Sequence, residues 1–211
     1  VYIPACVTHS GVSDLVYNDF IIEDGADVIM LPYFKTLEEV KAFLGFVGGR
    51  VPTVLLFETA EAVEIVDEVL ALEGITEAYI GLNDLHLSYK MKFMFEPLAD
   101  GTVEMLCNKF KAKGIPYGFG GLAKIGEGVL LSDYIIGEHK RLGSTCAILS
   151  RNFRRRISDS KPVENLSREI SLLRKREREV STWNKEQFEE NRKTLCDCVA
   201  KIAEQISINK K

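Results

Sequence analysis

The sequence predicts an α/β fold on a parallel sheet with a helical tail, and three observations carry that prediction. Short apolar runs of strand length recur along the first 150 residues, most of them continuous rather than alternating, as in strands covered on both faces. Helical patterns with caps or stop signals fill the gaps between the runs. From about residue 151 the strand signal ends and dense charge begins.

The strand runs are VYIPACV (1–7), ADVIMLP (26–32), PTVLLFE (52–58), EAYIGL (77–82), IPYGFG (115–120) and TCAIL (145–149). After the second run, KTLEEVKAFLGFV predicts a helix. Thr36 with Glu39 three positions on makes a capping box, Leu37, Val40, Leu44 and Val47 share a face, and Gly48 and Gly49 end it. After the third run, TAEAVEIVDEVLALEG predicts another helix, capped by Thr59, striped by Val63, Val66 and Leu70, and ended by Gly74. TVEMLCNKFKAKG precedes the fifth run and GEGVLLSDYIIGEHKRLG the sixth. Strand and helix alternating over short connections is the pattern of β/α units on a parallel sheet.

The tail carries two helical stripes, Leu166, Ile170, Leu173 and Val180, then Phe188, Leu195, Val199, Ile202 and Ile206, with Asn184 and Gln187 as a cap between them. Amphipathic helices need a surface to cover. The sequence therefore divides into a β/α portion, 1–150, and C-terminal helices, 151–211, that dock on it or exchange between subunits of a homo-oligomer.

Composition narrows the function. The 211 residues are 46% hydrophobic and 27% charged, with a net charge of −4, so no overall basic field exists to hold nucleic acid or an anionic membrane. No apolar run reaches the roughly 20 residues that span a bilayer, and the start lacks the order of a signal peptide, so the expected location is the cytoplasm. The five cysteines are scattered, without CxxC spacing, and read as reduced thiols.

One knot of polar residues interrupts the apolar pattern, AYIGLNDLHLS (78–88). Glu58 ends the third run and Asp84 follows the fourth. In a parallel β/α fold the carboxyl ends of neighbouring strands face one crevice, where ligands bind, so the two carboxylates can meet. Paired carboxylates repel, and a proton, a basic partner or a hard cation such as Mg²⁺ or Mn²⁺ must neutralise one. The alternative is structural: Glu58 caps the following helix by its charge and Asp84 forms an Asx turn with Asn83.

Taken in order, GADVIMLPYFKTLEEV, LLFETAEAV, ITEAYIGLNDLHLS and GIPYGFGGLA resemble the motifs of the HpcH/HpaI aldolase and citrate lyase family, over roughly residues 20–150. The resemblance implies a TIM (β/α)₈ barrel, in this chain lacking its first strands, often with its last helix exchanged between subunits. It implies that Glu58 and Asp84 bind a divalent metal and that backbone amides around Leu82, Asn83 and Asp84 hold the carboxylate of pyruvate or oxaloacetate. Gly81 would let the main chain approach closely. The implied chemistry is cleavage or formation of a carbon–carbon bond beside a 2-keto acid, with the metal as Lewis acid stabilising the enolate.

Two features of that family are missing from the sequence: a catalytic histidine from an early strand and an arginine on the strand aligned with VYIPACV. Because the sequence begins at Val1 inside a strand-like run, we expect them to lie upstream. His9 and His86 are the candidates within the chain, His86 being two residues beyond Asp84. His139, near a helix end, reads as a structural partner of the helix dipole. The glycines of GFGGLA (118–123) read as steric, and RNFRRR (151–156) as a solvated charge run or an ion-pair patch.

The expected function is a Mg²⁺- or Mn²⁺-dependent carbon–carbon lyase acting on a keto acid or hydroxy acid. The alternative is a non-catalytic or partner-completed barrel that serves in assembly.

Overall fold

The computed structural model describes residues 3–4, 22–150, 153 and 162–209. Among them, six parallel strands form one sheet in sequence order: β1 (Ile3–Pro4), β2 (Ile29–Leu31), β3 (Thr53–Phe57), β4 (Glu77–Ile80), β5 (Tyr117–Leu122) and β6 (Cys146–Leu149). The α/β class with a parallel sheet follows the sequence reading, whereas the (β/α)₈ barrel that the family resemblance implies is matched only in part. Within the described residues β1 and β6 are edges, and the sheet is not closed into a barrel.

Helices cross between the strands. These are α1 (Leu37–Val47), α2 (Ala60–Glu64), α3 (Val66–Val69), α4 (Leu82–Ser88), α5 (Glu96–Ala99), α6 (Thr102–Ala112) and α7 (Ser132–Leu142); α8 (Pro162–Val180) and α9 (Lys185–Asn209) form the tail. The expected cap of α1 is present: Thr36 Oγ accepts from the Glu39 N–H at 3.3 Å, Glu39 accepts from the Thr36 N–H at 2.9 Å, and Gly48 ends the helix at a φ of 57°. The single helix expected over 59–74 is instead two short ones, α2 and α3, broken at Ile65 with φ −94° and ψ 12°. That pair of angles lies between the helical and extended regions and interrupts the ladder.

Strand side chains alternate between two buried faces. Ile29, Leu31, Leu55, Phe57, Ala78 and Ile80 pack under the helices, where Phe34, Phe57, Phe110 and Tyr117 touch in sequence at ring spacings of 5.1, 5.1 and 5.8 Å. Met30, Val54 and Tyr79 form a separate cluster on the other face, with Leu56 and Cys146 against it. Burial of both faces explains why the runs are continuously apolar.

On that second face the ladder between β5 and β6 shifts register between Gly118 and Gly121. Tyr79 bridges the irregularity. Its buried hydroxyl accepts from the Ile148 N–H at 2.7 Å and donates to the Gly120 carbonyl. Gly118 is needed lower down, because a Cβ there would run into the Cys146 main chain and sulfur. The glycines at 118 and 120 are therefore steric, as the sequence reading holds, and they lie within a strand.

The tail docks on its own chain, α8 against α7 and α9 against α5 and α7. Arg141 of α7 pairs with Glu104 of α6 and with the fully buried Glu138, each at 2.7 Å, and Arg192 of α9 reaches Glu104 at 2.6 Å. Asn191 donates to the Tyr134 carbonyl at 3.0 Å and occupies the space that a side chain on Gly137 would need. Asn184 and Gln187 cap α9 reciprocally, at 2.9 and 3.0 Å.

Tyr79→Phe removes one group that serves two main-chain partners. We expect it to lower stability by about 1–3 kcal/mol, measured as a shift in the urea midpoint at constant slope. An unchanged midpoint overturns the bridging role.

Candidate functional site

Strand alternation and register together place Glu58. It continues the face of Val54 and Leu56, and because Phe57 pairs with Ile80, it comes to lie beside Gly81 at the carboxyl edge of the sheet. A Cβ on Gly81 would stand 2.6 Å from Glu58 Oε2 and 2.9 Å from Glu58 Cβ. Only glycine leaves room for the carboxylate at this point.

Glu58 is 6% exposed, and its Oε1 accepts the Tyr33 N–H at 2.9 Å. Tyr33 has a φ of 53°, a left-handed conformation that non-glycine residues seldom adopt. The neighbouring residues brace the same loop. Thr59 Oγ donates to the Phe34 carbonyl at 2.7 Å and accepts the Ala62 N–H at 3.1 Å, and the Ala60 N–H donates to Ser88 Oγ at 2.8 Å.

Burial pushes the Glu58 carboxyl up from its ordinary value, and the nearby charge of Asp84 adds to the rise; the Tyr33 N–H offsets part of it, leaving a value of about 7. Both structural alternatives are replaced. Thr59 rather than Glu58 caps α2, and Asp84 lies in the first turn of α4 rather than in an Asx turn.

The other expected residues separate. Leu82 is buried and packs on β5, where a Cβ at Gly120 would stand 3.0 Å from Leu82 Cδ1, whereas Asn83 is exposed. Gly81 heads α4 without a side-chain cap, so the first amides of that helix, Leu82 to Asp84, lack intrahelical acceptors. His86 is buried with Nδ1 unpartnered. Two residues on a helix turn by about 200°, so His86 and Asp84 lie on different sides of α4. His9 lies outside the described residues, as does RNFRRR apart from the buried Phe153.

His139 does not serve the helix dipole as a cation. It stacks on Phe119 at 3.8 Å, Nδ1 lies 2.8 Å from Ser144 Oγ, and burial pushes its pKa down to about 3, so the ring is neutral. A cavity of about 440 Å³ opens beside it, between β6, α7 and α8. Glu58 and Asp84 do not line that cavity.

Sequence reading missed three participants on the carboxyl edge: Tyr33, Ser88 and Lys124. Tyr33 and Ser88 act through contacts between loops that no local pattern announces. Lys124, only 7% exposed and two residues beyond β5, had a usable signal, a cation directly after a glycine-rich strand.

The donor set is compatible with a hard divalent ion. The charge of Asp84 acts on the Glu58 carboxyl, which burial already raises, and the glycine beside it keeps one carboxylate oxygen clear of side-chain obstruction. Among the described residues no three of His, Cys, Asp or Glu cluster as ligands, so an ion on this pair would retain several waters, as Mg²⁺ commonly does.

No family model and no curated protein matches this sequence. Among solved structures, the chain is similar to an HpcH/HpaI aldolase/citrate lyase family protein from Burkholderia cenocepacia J2315, with a TM-score of 0.57 and 12% identity over 82% of this chain and 73% of that one. It is also similar to RipC from Yersinia pestis, with a TM-score of 0.57 and 13% identity over 88% of this chain and 77% of that one. At these identities the likeness establishes the α/β fold.

Glu58 sets a pH dependence. Between its ordinary value of 4.5 and about 7 the unfolded chain loses a proton that the folded chain keeps, so its contribution to stability falls as pH rises through that window. Glu58→Gln removes the penalty. We expect the mutant's gain over wild type, in thermal melts with chelator present, to be larger at about pH 8 than at about pH 5. Equal differences at both pH values overturn the assignment.

Proposed function

We propose that this chain, which shares its fold with an HpcH/HpaI aldolase/citrate lyase family protein, is a divalent-metal-dependent carbon–carbon lyase acting on a 2-keto acid or a related hydroxy acid. The observation that carries the reading is the buried Glu58 carboxyl, raised by burial and by the charge of Asp84 and seated against Gly81 at the carboxyl edge of a parallel sheet. Substrates of α/β folds bind at that edge.

In this reading Glu58 and Asp84 hold Mg²⁺ or Mn²⁺. The bound ion supplies positive charge beside the carbonyl and carboxylate oxygens of the keto acid. Tyr33 holds Glu58 Oε1 through its N–H and so sets which carboxylate oxygen remains for ligation. A cation held there would favour the ionised form of Glu58, opposing the burial and the Asp84 charge that raise its carboxyl. The uncapped amides of Leu82, Asn83 and Asp84 offer donors to the substrate carboxylate. Leu82, buried on Gly120, anchors the start of α4 and fixes where those amides stand. His86, turned away from Asp84, is left with a structural role, and no base is assigned among the described residues.

A second reading, an assembly protein completed by a partner, draws on edge strand β6, whose Ile148 and Leu149 are 48% and 40% exposed. The exposed Val163, Leu166 and Ile170 of α8 are the part of the tail that we assign to self-association in either case.

The test is Mn²⁺ binding to the purified protein with and without pyruvate or oxalate, for wild type and Asp84→Ala. We expect wild type to bind Mn²⁺, more tightly with the keto acid, and the mutant to lose at least about tenfold in affinity while its circular dichroism is unchanged. Metal-dependent turnover retained in Asp84→Ala, or no Mn²⁺ binding by wild type, overturns the lyase reading and leaves the assembly role.

A further inference from the structure

The cavity of about 440 Å³ beside His139 lies between β6, α7 and the tail helix α8, and neither Glu58 nor Asp84 lines it. Among the described residues its walls are largely aliphatic, with Leu122, Ile136, Leu149, Ile170 and Leu173 facing it. A volume of this size is in the range that small organic ligands occupy. A ligand there is independent of any chemistry at Glu58.

The hydroxyls of the wall have already spent their protons. A hydroxyl carries one. Ser144 Oγ donates to the Cys146 carbonyl at 3.1 Å, Thr145 Oγ1 to the Tyr117 carbonyl at 3.3 Å, and Ser181 Oγ to the Glu177 carbonyl at 2.7 Å. Ser144 Oγ also lies 2.8 Å from His139 Nδ1, and with its own proton committed it accepts there. That contact sets the tautomer. Burial keeps the ring neutral, so Nδ1 carries the hydrogen and Nε2 is an acceptor. His139 is 9% exposed, and its Nε2 is buried with no partner among the described residues. A buried acceptor without a donor is uncommon and costly.

Charge around the cavity is balanced within the chain. Arg174 pairs with Glu177 at 2.7 Å, and Lys140 is exposed to water, so no buried cation calls for an anionic ligand. We infer that this cavity is a binding site for a neutral, largely apolar small molecule carrying one N–H or O–H donor, which bonds to His139 Nε2 while the body of the molecule packs on the aliphatic walls. Because those walls come from the sheet, from α7 and from α8, a ligand in the cavity also fastens the tail to the sheet.

The test uses the whole chain and two probes of the same shape, indole, which has an N–H donor, and indene, which has none. Binding is measured by titration calorimetry near neutral pH, with benzoate as a charged comparison. We expect wild type to bind indole about tenfold or more tightly than indene, and indole to raise the Tm. His139→Phe keeps a ring to stack on Phe119 and removes the acceptor; the preference should shrink to within about threefold. Ala147→Leu puts bulk into the cavity and should weaken both probes by about tenfold or more. Should His139→Phe fail to fold, Ala147→Leu and the comparison of the two probes on wild type carry the test.

No indole binding by wild type, or undiminished binding in folded Ala147→Leu, overturns the site. Equal affinity for indole and indene, or a preference for indole that survives in folded His139→Phe, overturns the role of Nε2. Benzoate bound more tightly than indole overturns the assignment of a neutral ligand.

Discussion

The six described strands run parallel in sequence order, and nearly everything else in the molecule depends on that arrangement. Each return from one strand to the next must cross a face of the sheet, so the helices cover one side and every strand's carboxyl end falls on the same edge. Residues far apart in the chain, at 33, 58, 84, 124 and 150, are gathered on one edge for this reason alone. The parallel ladder also requires strands that are apolar on both faces, which leaves polar side chains to the strand ends.

Within that frame, Glu58 is held at a cost. It lies one step past an apolar strand, beside a second acid, and is held by the N–H of a residue in a left-handed conformation. Burial and like charge act in the same direction, and the single hydrogen bond from Tyr33 offsets only part of them. Such tension is common where a cation or a substrate completes the electrostatics. Gly81 reinforces the point, since its missing side chain makes room for a carboxylate rather than for a turn.

The opposite electrostatic situation governs the tail. Glu138 is fully buried, yet Arg141 closes on it with two nitrogens and reaches Glu104 as well, which Arg192 also contacts. Charge-assisted bonds of this kind compensate burial only when each partner is present, so α6, α7 and α9 are held to one mutual geometry. The arginine hydrogen bonds and charges hold the Glu104 carboxyl below its ordinary value. Specific polar contacts fix where α9 docks, while Leu195 and Val199 of its apolar stripe bury against the core.

Local patterns in the sequence were enough for the β/α alternation, the six strands and the capping boxes at Thr36 and Asn184. Each is a short-range signal, an apolar period or a side chain bonding three residues away, and such signals survive without tertiary context. The helix expected over 59–74 broke at Ile65, and the segment at Asn83 and Asp84, for which an Asx turn was the structural alternative, is α4, because propensity yields to how a segment packs. His139 changed from a dipole partner to a neutral buried ring for the same reason. Tyr33 on Glu58 and Tyr79 across the β5–β6 irregularity could not be read from the chain. Each joins residues on different strands, and contacts at that separation exist only once the register of the parallel sheet brings the strands together.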